Sequence, residues 1–290
     1  MASFHLQVII KNRKGNQMEN LNKARQLVQN ADTVIVVAGN GLAKTEGLDL
    51  LGQEDFEQSF PGVVQKYDVH SVGFALDQHI SSWSEKWQLW SNLIQKYSVD
   101  YYPSKTLQKL KQLINNKQYF IASSAFGHFF ETAGFNEKRI FNVFGDWTKA
   151  QCSSGINHGL KDCQSVVQKI AAKKPDTNIE ELVPKCDICG QPLEIHLPLN
   201  EHFYPDTDAN TRFRWFLTGN EDKNTVFLEL GVDETSPQLR EPIEHLVAEF
   251  PQWSYVAADF KQENLLPEIQ ERSAGTNADA ASLINNLVTE

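Results

Sequence analysis

Thr33-Val34-Ile35-Val36-Val37-Ala38-Gly39-Asn40-Gly41-Leu42 is the stretch that decides the fold. Its first six residues are β-branched or small, and almost all are apolar. A strand with one wet face alternates polar and apolar residues. A strand covered on both faces does not, and such strands belong to parallel sheets. The run then enters Gly39-Asn40-Gly41, after which helix-forming residues resume. Two glycines at a strand-to-helix turn permit a tight bend and a close backbone approach to a pyrophosphate, held by the helix N-terminus. Taken alone, the same turn also fits an ordinary connection.

Outward from this strand, three further runs have the same buried character: Tyr119 to Ser123, Val226 to Leu230, and Trp253 to Ala257. Arg139 to Val143 is a shorter candidate. Helical segments separate them: Glu19 to Asn30, with Leu21, Ala24, Leu27 and Val28 on one face, then Ser104 to Asn115 and Pro242 to Glu249. Strands alternating with helices predict an α/β fold, a Rossmann-like, doubly wound parallel sheet.

Two regions interrupt the alternation. Residues 52–102 read as a helical insert, where Trp83, Trp87 and Trp90 recur at helical spacing and predict a buried helix face. Residues 151–219 gather all four cysteines, Cys152, Cys163, Cys186 and Cys189. This stretch reads as a small zinc-ribbon-like module, with Leu193 to Leu199 and Arg212 to Leu217 as a possible hairpin. The expected organisation is an N-terminal arm over 1–18, a nucleotide-binding domain over 19–150 and 220–290, and the cysteine module between.

Composition narrows the function classes. A formal net charge of −10, with no basic stripe, argues against nucleic acid or an anionic membrane as partner. No apolar run approaches the length of a membrane span. The first 17 residues place Lys11, Arg13 and Lys14 after their apolar stretch, the reverse of a secretory signal, so they read as an edge strand or a disordered arm ahead of Met18. The chain reads as cytoplasmic, where cysteines serve as metal ligands or free thiols more often than as disulfides.

Cys186-Asp187-Ile188-Cys189-Gly190 is a zinc-knuckle half-site by spacing. Its partner half is irregular: Cys152 and Cys163, with His158 between them. Zinc on Cys152, Cys186 and Cys189 with Cys163 or His158 as fourth ligand stands beside a bare redox pair or structural thiols. His128 is either a satisfied cleft residue or a general base. There is no His-Glu-x-x-His pair, serine-nucleophile elbow or phosphate-loop lysine motif.

In order along the chain, these pieces resemble the sirtuins, and most of all the class M branch found beside lipoate-handling genes in some microbes. The resemblance is carried by Val37-Ala38-Gly39-Asn40-Gly41-Leu42, by Ser84-Glu85-Lys86-Trp87-Gln88-Leu89-Trp90, and by Phe130-Glu131-Thr132-Ala133-Gly134-Phe135 followed by Arg139-Ile140-Phe141. It continues through Gly145-Asp146, Gln151-Cys152-Ser153, Leu228-Glu229-Leu230-Gly231-Val232 and Ile269-Gln270-Glu271-Arg272-Ser273. It implies an NAD-dependent protein deacylase or protein ADP-ribosyltransferase. The implied nucleotide-binding positions are Ala38, Gly39, Asn40, Gly41, Leu42, Gly231, Val232, Thr235 and Asp259.

The resemblance also marks departures. The asparagine and aspartate that orient nicotinamide and its ribose in the family are matched by Ala125 and Gly127, and the general base by Phe144. None of these three side chains can hydrogen-bond or accept a proton. Ala43 stands for a serine, Ile156 for the second cysteine of the first zinc pair, and Asp233 and Glu234 put carboxylates beside the expected phosphates. Three readings follow. One is a catalytically impaired pseudo-sirtuin that binds NAD or ADP-ribose, or an acylated, lipoylated or ADP-ribosylated partner protein. Another is an active ADP-ribosyltransferase or deacylase that uses His128, Asp146 or Asp233 as replacement groups. The third is an interaction scaffold without nucleotide affinity.

Overall fold

The computed structural model describes residues 17–174, 177–232, 239–258 and 265–288. The first 16 residues of the expected N-terminal arm, the acidic pair Asp233 and Glu234, and the sequence-derived site residues Thr235 and Asp259 lie outside the described residues, while Gln17 and Met18 already belong to the first helix. In chain order the strands are β1 (Thr33–Ala38), β2 (Gln118–Ser123), β3 (Ile140–Asn142), β4 (Asp146–Cys152), β5 (Lys161–Asp162), β6 (Leu193–His196), β7 (Thr225–Leu230), β8 (Trp253–Ala258) and β9 (Ser273–Thr276).

Six of these strands form one sheet in the order β3-β2-β1-β7-β8-β9, and every pairing within it is parallel. β1 lies at its centre, and all six of its residues are buried. Val34, Val36 and Ala38 point into the core on one face, and Ile35 and Val37 into the core on the other. This is the physical reason for the unbroken apolar run. The chain winds from β1 outward to β3, then returns to β7 and winds the opposite way. The order of winding therefore reverses between β1 and β7, the position at which open α/β sheets place their ligand sites, at the C-terminal strand ends.

The helical insert is present as Glu54–Ser59, Pro61–Tyr67, Val72–Leu76 and Trp83–Ile94. Ser82 caps the longest of these by accepting from the amide of Glu85, and a π-helical turn, Gln95–Val99, extends it. Trp87 and Trp90 are buried and Trp83 is half-buried, as the spacing predicts. The Trp87 indole N–H donates to the carbonyl of Leu193 at 2.9 Å, tying the insert to the second sheet. That sheet is antiparallel, in the order β5-β4-β6.

The expected hairpin is corrected. Leu193 to His196 is a strand, but Arg212 to Leu217 lies inside a helix, Thr207–Thr218. Asp206 caps that helix by accepting from the amide of Ala209 at 2.9 Å. Phe213 and Phe216, three residues apart, then land on one side and pack against Phe120 of β2 at 5.2 and 5.4 Å between ring centroids. The apolar residues follow a helical period, and the sheet they cover decides their conformation. Among the described residues no helix is long and apolar enough to cross a membrane.

Candidate functional site

The turn after β1 and the residues after β7 meet at the reversal point. The amide of Gly39 donates to the carbonyl of Leu230 at 2.9 Å, and the amide of Gly41 donates to the carbonyl of Gly231 at 2.8 Å. The contact is too close for any side chain. A Cβ on Gly39 would lie 2.1 Å from the Gly231 oxygen, and one on Gly41 would lie 2.9 Å from the Gly231 Cα. Gly231 adopts a left-handed φ of +69°, and its own Cβ would lie 2.2 Å from the amide of Leu42. Ala38, Gly39, Asn40, Gly41 and Leu42 are thus brought against Gly231 and Val232. The amides of Gly39 and Gly41 are engaged with backbone carbonyls, so these two glycines lock the loops together.

The end of β2 supplies the third wall. Ala125 is buried, with its amide held by the Ser123 hydroxyl at 3.0 Å. The Ser124 hydroxyl donates to the carbonyl of Ala38 at 3.3 Å, joining this loop to β1. Ala43, where the family has a serine, is buried in the apolar core. At Gly127 a Cβ would meet the Phe129 ring 2.2 Å away. That ring is buried and stacks edge-on with Tyr101 at 4.9 Å, while Ser98 donates to the Gly127 carbonyl at 2.7 Å. Tyr101 is fixed in turn by Glu46, a buried carboxylate that also accepts from the Ser104 amide and hydroxyl. Phe144 is half-buried beside Gly145, whose φ of +85° and closeness to the His196 carbonyl exclude a side chain.

Two of the replacement groups weighed from sequence, His128 and Asp146, are paired with each other. His128 has a left-handed backbone, φ 63° and ψ 25°, which non-glycine residues seldom adopt. Its Nδ1 lies 2.7 Å from Asp146 Oδ2. Burial pulls the imidazole pKa down, but the Asp146 hydrogen bond and charge outweigh it and hold the ring up at about 9. Thr148 donates its hydroxyl and amide to the other Asp146 oxygen, at 2.7 and 2.8 Å. Glu131, also buried, accepts from Asn142 Nδ2 at 3.0 Å, and burial raises its carboxyl pKa.

A second group of ligand atoms lies at the base of the small sheet. Cys152, His158, Cys186 and Cys189 each offer one atom, and all four atoms lie within 4.8 Å of one another. Cys152 Sγ is 3.4 Å from Cys189 Sγ, and Cys186 Sγ is 3.4 Å from His158 Nδ1. Gly190, at φ +74°, closes the knuckle, with its amide donating to Cys186 at 2.8 Å. Backbone amides, first that of Cys189 and then that of Ile188, hold the Cys186 thiol pKa down at about 6. Three sulfurs and an imidazole with these separations fit a tetrahedral site with metal–sulfur bonds of ~2.3 Å, so the cluster could hold zinc.

Cys163, one of the two candidates for the fourth place, lies outside this group. It is buried at the start of the helix Gln164–Ala171, its sulfur faces the Trp147 carbonyl at 3.5 Å, and burial pushes its thiol pKa far up. Ile156, at the family's cysteine position, is 59% exposed and turned outward. His158 takes the fourth place instead. Spacing alone left the two alternatives open.

No sequence-family model matches the chain. The chain is 25% identical over 270 residues to a protein ADP-ribosyltransferase of Staphylococcus aureus (strain Mu50), covering 91% of this chain and 85% of that protein. It is 26% identical over 248 residues to a probable bifunctional ADP-ribose hydrolase/ADP-ribosyltransferase of Fusarium oxysporum f. sp. cubense, and spans 40% of that longer protein. Among solved structures, a Sir2 homologue in complex with NAD superposes with a TM-score of 0.58 at 15% identity, covering 92% of each chain. A mutant Sir2 homologue with ADP-ribose superposes at 0.57 and 16% identity, covering 91% of this chain and 94% of that one. A further Sir2 mutant, with 2′-O-acetyl ADP-ribose, superposes at 0.59 and 14% identity, covering 91% and 93%.

Proposed function

We propose that this chain, which has the fold of Sir2 homologues and is similar to a protein ADP-ribosyltransferase, is a member of the sirtuin family that binds NAD or ADP-ribose between β1 and β7 while turning NAD over poorly or not at all. The supporting observation is the packing at Gly127, where the Phe129 ring stands in the space that a nicotinamide-orienting carboxylate would need. Ala125 and Phe144 offer no polar group at the two companion positions. A general base alone contributes about 10²–10⁴-fold in rate, so its loss together with positioning groups leaves little of the ordinary reaction.

On this reading Ala38 to Leu42, Gly231 and Val232 shape the nucleotide crevice, and Thr235 and Asp259 complete the set. The nucleotide-binding part proposed for residues 19–150 and 220–290 also takes in the helix Thr207–Thr218, which covers β2 and β3, while the small module proposed for 151–219 draws its β4 from Asp146 onward. Cys152, His158, Cys186 and Cys189 would hold zinc. Four protein ligands leave no open position, so the metal would clamp the module rather than act on substrate. A modified protein, acylated, lipoylated or ADP-ribosylated, is the proposed macromolecular partner.

The names of the curated relatives favour a second reading, retained ADP-ribosyl transfer. Chromatographic detection of nicotinamide released from NAD, followed over many protein equivalents, separates the two. No release above the buffer rate supports the proposal. Sustained release would establish the second reading and require a base among residues other than Ala125, Gly127 and Phe144.

A further inference from the structure

His128, Glu131 and Asp146 reach one point from three pieces of chain: the residue before the short helix Phe129–Thr132, that helix itself, and the start of β4. One imidazole nitrogen and two carboxylate oxygens lie within 4.8 Å of one another. Each carboxylate has one oxygen held from outside, Glu131 Oε1 by Asn142 at 3.0 Å and Asp146 Oδ1 by Thr148 at 2.7 Å. The other oxygen of each faces His128 Nδ1, Asp146 Oδ2 at 2.7 Å and Glu131 Oε2 at 3.8 Å. This is how outer groups aim the inner ligands of a metal site.

Two buried atoms here lack a hydrogen-bond partner. Glu131 Oε2 is one, on a side chain only 6% exposed. His196 Nδ1 is the other, on a residue only 1% exposed. Both residues line the same small cavity, of about 40 Å³, together with His128, Asp146 and Asn142. Buried polar atoms left unpaired are destabilising, so both call for a partner in the cavity. A water needs roughly 10–15 Å³ of this kind of volume, so the cavity has room for an ion and a water.

We propose that His128 Nδ1, Glu131 Oε2 and Asp146 Oδ2 form a site for a divalent first-row cation, separate from the cysteine cluster. A divalent ion would neutralise the two carboxylates and take the place of the proton between His128 and Asp146. One nitrogen and two oxygens suit manganese, iron or zinc, whereas calcium requires six to eight oxygens. The cavity supplies the remaining position, for water or for a group that His196 could meet. The site shares no residue with the zinc-type cluster or with the glycine turn.

The test uses the full chain, stripped with chelator and then given one equivalent of zinc, which thiolates take in preference to manganese. Manganese is titrated while the signal of the free ion is followed by electron paramagnetic resonance. One saturable site is expected, with nitrogen hyperfine modulation from an imidazole. Glu131→Gln should weaken it at least tenfold without lowering the melting temperature, whereas Glu137→Gln, on the cavity rim, should not affect it. If Glu131→Gln does not fold, Asp146→Asn and the nitrogen modulation of the unaltered chain carry the decision. No saturable binding up to millimolar manganese, binding without nitrogen modulation, or binding that Glu131→Gln leaves intact would overturn the assignment.

Discussion

The Phe129 ring stands where a side chain at position 127 would have to go, its Cζ 2.2 Å from the place of a Cβ on Gly127. The ring is itself held, edge-on against Tyr101 at 4.9 Å. Installing the family's aspartate is therefore more than a change of one side chain. Gly127→Asp should destabilise the protein by about 1–3 kcal/mol, as overpacking does, and should not create NAD turnover. Gly127→Asp with Phe129→Ala should recover part of that loss, because the clash is with the ring. Thermal melts of the two variants check this, and equal losses in both would show that the ring is not the obstacle.

The interlocked glycines make a second prediction. Gly231→Ala combines a strained left-handed backbone with a contact of 2.2 Å to the Leu42 amide, and Gly39→Ala drives a methyl to 2.1 Å from the Gly231 oxygen. Both should separate the loops after β1 and β7 and weaken ADP-ribose binding at least tenfold. Gly62→Ala, where nothing lies within 4 Å of the added methyl, serves as the control.

The cysteine cluster makes a third. Metal analysis of the purified chain should find zinc. His158→Ala or Cys186→Ser should lose it, and chelation should lower the melting temperature. Cys163→Ser should keep its zinc, since that sulfur faces the Trp147 carbonyl. Equal zinc loss in Cys163→Ser and Cys186→Ser would contradict the assignment.

Glu229 makes a fourth. It is fully buried on β7, where it accepts from Arg240 and from the Tyr255 hydroxyl. Arg240 also donates to the Val232 carbonyl at 3.1 Å, fastening the residue after Gly231. Arg240→Ala would leave an uncompensated buried carboxylate, at a cost of ~3–5 kcal/mol. Arg240→Ala with Glu229→Gln should be less damaging than Arg240→Ala alone. Denaturant unfolding of both variants measures the difference.

The parallel sheet and its central strands were legible because burial on both faces forces an unbroken apolar run, as in Thr33 to Ala38 and Val226 to Leu230. The glycines of the turn were legible for a related reason, since backbone-to-backbone contact admits nothing larger. The helix Thr207–Thr218 was not. Phe213, Phe216 and Leu217 are apolar in either conformation, and only the sheet face beneath them selects the helix. Spacing left Cys163 and His158 open as the fourth donor, because it counts residues along the chain, whereas the fold decides that His158 and not Cys163 comes within 4.8 Å of the other three donors. Nothing in the order of His128, Glu131 and Asp146 announces a cluster. β4 must fold back past the short helix before the three meet.

The account's central claim is nucleotide binding without turnover, and calorimetric titration of the full chain with NAD, then with ADP-ribose, tests it most directly. The account predicts saturable binding of ADP-ribose and of NAD, each heat signal returning to baseline after every injection. Continuing heat after NAD injections, or no binding of either nucleotide at millimolar concentration, would contradict it.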